Sequence, residues 1–194
     1  MNDQHLRDRI ARLEALEAIR QLPCRYARAV DSRDIDGWLE LFVEDVDCGR
    51  RGKGREALRS YIDPGVRTFY RSVHYVCGHV IDLVDADSAT GSVYCRAEHE
   101  AGDEWVVMAI IYYDTYARRD GRWYFVKRDE RHWYSADTLA RPKSPFQLWA
   151  RWAHRTPHLP ERFPTWTGFW EGSTDEEIAA LTCAPTPRAV PIAD

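Results

Sequence analysis

Three polar residues stand in apolar surroundings where they could do chemistry: Asp31, His74 and Arg128. Asp31 follows the apolar run YARAV, and His74 lies inside the β-rich stretch FYRSVHYVCGHVIDLV. Arg128 lies in the last strand-like segment. Period-two alternation puts it on one face with Tyr124, Val126, Glu130, His132 and Tyr134. A carboxylate bonded to one ring nitrogen of a histidine fixes its tautomer and favours its charged form. The other nitrogen is then a general base, a role that contributes roughly 10²–10⁴-fold to a rate. A nearby arginine supplies a permanent cation for developing negative charge or for holding a ligand. Taken singly, the three read as a helix cap, a core histidine and a cross-strand arginine, and spacing alone does not bring them together.

Other reactive side chains point to less. His99 stands between Glu98 and Glu100 and reads as a solvated strand end. His79 falls on the opposite face from His74 unless Gly78 marks a bulge. His154 and His158 have zinc spacing only on a continuous helix, which Pro157 breaks, so no metal site is expected. The five cysteines form no CxxC pair and are odd in number, which argues against a disulfide framework. Glycine-rich nucleotide motifs and nucleophile-elbow motifs are lacking. The chemistry is therefore expected to need no cofactor.

Composition narrows the class. The chain has 194 residues, 44% hydrophobic and 30% charged, with a net charge of -4. That suits a single soluble domain with a tail and argues against a broad nucleic-acid surface. The cationic run Arg50, Arg51, Lys53 and Arg55 is flanked by Asp47 and Glu56 and reads as a solvated loop. Eight Trp and ten Tyr supply large apolar bodies with polar tips, for a core, an interface or a ring-bearing ligand. The first twenty residues are charged from the start, unlike a signal peptide, and no run is long enough to span a membrane. A cytoplasmic location is the default.

The elements that must position these residues follow from periodicity. Leu6, Ile10, Leu13, Ile19 and Leu22 recur at helical steps, and Tyr26, Ala29 and Val30 continue the stripe to about Asp31. Pro23 is expected to kink or restart this helix. Asp34 caps a short helix through Trp38, Leu41 and Phe42, then comes a short strand over 43–48, and a third helix covers 55–62. Four strand-like segments follow, over 68–85, 89–100, 104–117 and 122–134, joined by Asp/Gly turns as in an antiparallel meander. The fold class is α+β, a curved antiparallel sheet wrapped around N-terminal helices. Residues 1–140 form this domain. The Pro- and Trp-rich segment 141–194 forms a C-terminal extension that packs on its own domain or on a neighbour.

Three pieces carry a resemblance: AVDSRD around Asp31, VHYVCGH around His74, and YARRDGRWYFVKRDERHWY around Arg128. Over about residues 6–135 the chain resembles the SnoaL-like branch of the nuclear transport factor 2-like superfamily. It is similar in particular to hexachlorocyclohexane dehydrochlorinases and, more distantly, to scytalone dehydratase. The resemblance implies a cone-shaped α+β barrel, with Asp31 and His74 as a dyad and Arg128 beside it as catalytic residues. Where the dehydrochlorinases carry a lysine about a turn and a half before the aspartate, this chain has Tyr26. A hydroxyl suits an oxygen leaving group better than a halide.

The function so implied is a cofactor-independent lyase. It would eliminate water, or a small fragment such as formaldehyde, from a bulky aromatic substrate such as a lignin-derived aromatic dimer. Tyr26, Tyr112, His132 and Tyr134 are the expected substrate-binding residues. Two alternatives stay open: a steroid- or polyketide-type isomerase or cyclase with Asp31 as the base, and a non-catalytic small subunit of a ring-hydroxylating dioxygenase. The resemblance also implies a homo-oligomer, a trimer or else a dimer, and charge and hydropathy lead us to expect no nucleic-acid or membrane partner.

Overall fold

The computed structural model describes residues 3–139, 168 and 171–177. The predicted C-terminal extension lies almost wholly outside the described residues, and the His154/His158 pair wholly so. The chain runs α1 (Asp3–Ser32), α2 (Ile35–Leu39), a 3-10 turn (Gly49–Arg51), α3 (Arg55–Val66), then β1 (Arg71–Leu83), β2 (Ser88–Ala101), β3 (Glu104–Arg119) and β4 (Arg122–Asp137). The strands form one antiparallel sheet in the order β1-β2-β3-β4, curved around the helices. This is the expected cone-shaped α+β architecture.

Several local expectations hold for physical reasons. Asp34 caps α2, its Oδ1 accepting from the Gly37 N–H at 2.9 Å. Asp120 and Gly121 adopt positive φ values of 49° and 77° at the β3–β4 turn, which suits an Asp-Gly hairpin. Pro23 does not restart the first helix, which runs as one element from Asp3 to Ser32, as the stripe to Asp31 implies, with Pro23 buried inside it. Packing against the sheet holds the turn that the proline weakens. In place of a strand over 43–48 there are two isolated bridges, Phe42 with Phe125 and Asp47 with Lys53.

The core lies between the inner face of α1 and the sheet. Ile19, Leu22, Tyr26 and Val30 pack with Trp38, Phe42, Tyr116 and Phe125. The earlier part of the α1 stripe finds no such cover: Leu6, Ile10 and Leu13 are exposed. No helix among the described residues is long and apolar enough to cross a membrane.

Bulges decide which side chains face this core. In β4, Tyr134 pairs with Ala109 but His132 with Ile110, and Lys127 pairs with Thr115 but Phe125 with Tyr116. Trp133 and Val126 are thus extra residues, and each reverses the alternation. Phe125, Arg128, Glu130, His132 and Ser135 all face inward. The single face expected from Tyr124 to Tyr134 is not formed. Tyr124 and Tyr134 face the other way. In β1 the register shifts between Val76 and Gly78, which turns His79 to the same inner face as His74.

Gly91 shows how tightly the sheet bends. A Cβ there would lie 2.5 Å from the Val80 carbonyl oxygen and 3.3 Å from both His79 Nε2 and the Tyr116 ring. Gly91→Ala must push β1 off β2. Overpacking of this kind costs about 1–3 kcal/mol, so the urea midpoint of Gly91→Ala should fall. An unchanged midpoint would contradict this close approach.

Candidate active site

The end of α1 delivers Asp31 to the start of β1. The helix closes with Arg33 in the left-handed conformation, φ 64°. The Arg33 N–H donates to the Val30 carbonyl and the Asp34 N–H to the Ala29 carbonyl, the paired bonds of a Schellman cap. A non-glycine residue here costs free energy. The Arg33 side chain offsets it. Its Nη1 donates to the Val30 carbonyl and to Ser72 Oγ, both at 2.7 Å, and its Nη2 to the Phe69 and Tyr70 carbonyls at 3.2 Å. Helix end and strand start are thereby stapled.

Within this staple the Asp31 carboxylate accepts three hydrogen bonds. Oδ1 accepts from Ser72 Oγ at 3.0 Å and lies 2.7 Å from His74 Nδ1, while Oδ2 accepts from the His74 backbone N–H at 2.9 Å. Burial alone would raise the Asp31 carboxyl, but the bonds from His74 and Ser72 outweigh it and hold the group below the usual carboxylate range. An ionised carboxylate only accepts, so His74 Nδ1 carries the proton. In the neutral ring Nε2 then holds a lone pair. The His74 side chain is 8% exposed.

His74 lines a cavity of about 90 Å³ together with Ser72, Phe69, His99, Met108 and Ile110. A second cavity of about 260 Å³ lies beyond, lined by Trp38, Phe42, Arg51 and Arg128 among others. Tyr26, Tyr61, Tyr112 and Glu130 line both and form a common wall. Each alone is smaller than the several hundred Å³ usual for a drug-sized ligand.

Asp31 and His74 are therefore brought together as expected, while Arg128 lines the second cavity only. Its guanidinium carbon lies 4.3 Å from the Tyr26 ring centroid and 3.9 Å from that of Tyr112. The side chain is 4% exposed, with Nε 3.3 Å from Asp114 Oδ1. Buried cation–π contacts of this kind are worth about 2 kcal/mol. Desolvation works to lower the Arg128 guanidinium and is outweighed by Asp114, with further help from Tyr112 and Tyr26. Desolvation also raises the Asp114 carboxyl, against the pull of Arg128. Asp114 further accepts from the Tyr116 hydroxyl at 2.8 Å, and His79 Nε2 lies 3.0 Å from that hydroxyl.

The four expected binding residues divide. Tyr26 and Tyr112 are in the common wall. Burial, then the Glu130 carboxylate, pushes both hydroxyls well above the usual phenol range, against the pull of Arg128. His132 is fully buried behind Glu130, hydrogen-bonded to it through Nε2. Tyr134 pairs with Ala109 on the face turned away from Ile110 and the cavity. Sequence reasoning missed Glu130, Ser72, Arg33 and His99. His99 is no solvated strand end. It is buried and meets His74 edge-to-face, centroids 5.4 Å apart. Among the described residues no cluster of three or more His, Cys, Asp or Glu is placed to hold a metal ion.

This geometry stands within a defined family. Residues 11–129 match the SnoaL-like domain, and the chain belongs to that family. Among curated proteins it is 27% identical over 125 residues to the gamma-hexachlorocyclohexane dehydrochlorinase of Sphingobium indicum, covering 61% of this chain and 80% of that protein. The crystal structure of LinA superposes with a TM-score of 0.61 at 26% identity, covering 68% of this chain and 95% of LinA. A Novosphingobium aromaticivorans protein assigned as a scytalone dehydratase gives 0.58 at 26% identity, covering 68% and 92%.

Two inner histidines set a pH dependence. Burial, then the His74 ring, pushes His99 down to about 3, and burial, then Arg128, pushes His79 down to about 4. Below their unfolded value of 6.5 the unfolded chain binds more protons than the folded one, so stability falls as pH drops from about 6.5 through about 4 for His79 and on to about 3 for His99. Urea unfolding at pH 7.5 and 4.5 should show this loss, and a His79→Asn/His99→Asn double variant should lose less between the two pH values. Equal losses would contradict the buried neutral rings.

Proposed function

We propose that the protein is a cofactor-independent lyase that eliminates water from an aromatic alcohol, with His74 as the base. The observation that carries this reading is the Asp31–His74 pair, with Nδ1 bound and Nε2 left for a substrate proton beside an apolar cavity. The dehydrochlorinase relatives and the structure assigned as a scytalone dehydratase support elimination as the reaction class. Tyr26 in the wall favours oxygen over halide as the leaving atom. The phenolic hydroxyls of Tyr26 and Tyr112 stay protonated and serve as donors to a substrate oxygen. Arg128, behind their rings, holds them by stacking and supplies positive potential to that oxygen.

An aromatic ring fits against Phe69, Met108 and Ile110 beside His74. A second ring, as in a lignin-derived dimer, would reach the second cavity past Tyr61, the partly exposed member of the common wall. From a diarylpropane diol, formaldehyde would be lost together with water by the same base: His74 takes the proton of the terminal hydroxyl, the adjacent carbon–carbon bond breaks to release formaldehyde, and its electrons form the alkene as the other hydroxyl leaves as water. The isomerase reading, with Asp31 as direct base, is disfavoured. Both carboxylate oxygens are already occupied by His74 and Ser72.

His74→Gln should lower stilbene formation from diphenylethanol or a diarylpropane diol by roughly 10²–10⁴-fold with an unchanged circular dichroism spectrum. Asp31→Asn should do less damage than His74→Gln. Turnover retained in His74→Gln would sink the reading, and Asp31→Asn as the more damaging change would favour the isomerase.

A further inference from the structure

We propose that Glu130, held in place by His132, is the acid of this reaction and gives the leaving oxygen its proton. The proposal rests on the lyase reading above. A hydroxyl leaves poorly unless it is protonated as the bond breaks, so a base alone does not complete the chemistry. The chain places a second carboxylate–imidazole pair at the same cavity.

Four observations support it. Glu130 lines both cavities, in the wall between them. His132, with its side chain fully buried, is hydrogen-bonded to Glu130 Oε1 through Nε2, so the pair can hold a proton between them. Glu130 faces inward in the register that the bulge at Val126 opens and the bulge at Trp133 closes. The buried His99 ring meets His74 edge-to-face, centroids 5.4 Å apart, and lines the first cavity together with His74 and Glu130, which puts the two pairs around one space.

The step balances without any co-reactant. His74 Nε2 takes a proton from the carbon next to the carbinol carbon. The C–H electrons become the second bond of the alkene, and the C–O bond breaks. The departing oxygen takes the proton held by Glu130 and His132 and leaves as water. The proton on His74 then passes through that water back to Glu130, and both pairs are restored. Glu130 is the catalytic group here, and His132 is a positioning residue.

The test compares two leaving groups on one carbon skeleton: diphenylethanol, and the chloride that gives the same stilbene. Chloride departs without a proton, so only the alcohol needs the acid. Glu130→Gln should lower the ratio of alcohol to chloride turnover by roughly 10²-fold or more, while His74→Gln lowers both rates together. His132→Phe should lower the same ratio, and His132→Asn, which keeps an N–H donor, should recover part of it. If Glu130→Gln lowers both rates equally, or leaves the ratio unchanged, the pair is structural and the proposal is overturned while the lyase reading stands. If the native protein turns over neither substrate, both fall. Should Glu130→Gln not fold, Glu130→Asp, which shortens the reach to the oxygen, must lower the same ratio.

Discussion

The hydrogen bonds of the Asp31 carboxylate join the end of α1 to the start of β1, and the rest of the site depends on them. A carboxylate in the last turn of a helix opposes the helix dipole, and α1 has no basic residue in its last turn to compensate. The compensation comes from outside the helix, through Ser72, the His74 ring and the His74 backbone N–H. Arg33, bonded to Ser72 and to three carbonyls, holds the junction closed. One carboxylate therefore closes the cone and orients the His74 ring.

Curvature is the second constraint. The sheet wraps its helices by carrying bulges in β1 and β4. Each bulge changes which residues face the interior. Those at Val126 and Trp133 bring Phe125, Arg128, Glu130, His132 and Ser135 to one side. The shift before Gly78 brings His79 inward, where it meets Tyr116 and, through it, Asp114. A buried guanidinium then sits between two tyrosine rings with Asp114 as counter-ion. Removing one member of such a buried pair is costly, because the other charge remains without compensation.

The fold was largely legible in the sequence because its signals are local. The stripe from Ile19 to Val30, the Asp34 cap and the Asp-Gly turn are short-range patterns. The pairing of Asp31 with His74 was legible only through family resemblance, since nothing in their spacing brings them together. The inner face of β4 was misread because strict alternation cannot anticipate a bulge, and Tyr134 was assigned to the pocket for that reason. Glu130 stands on the correct face in the alternation but is given no role, because alternation alone does not single it out from its polar neighbours. His99 could have been found: alternation puts it with Ala97 and Ala101, which are both buried. Its flanking glutamates face outward and gave a false sign of solvent. Ser72 and Arg33 had no sequence signal, because their value lies in contacts across about forty residues.

The central claim is that Asp31 fixes the His74 ring with its proton on Nδ1 and its Nε2 free to act. Long-range proton–nitrogen NMR of the native protein at pH 8, with His74 assigned through a His74→Gln control, reads this directly. The account predicts one His74 tautomer, with a protonated Nδ1 and an unprotonated Nε2, giving way to a mixture in Asp31→Asn. A His74 ring protonated on Nε2 at that pH, or a tautomer indifferent to Asp31→Asn, would contradict it.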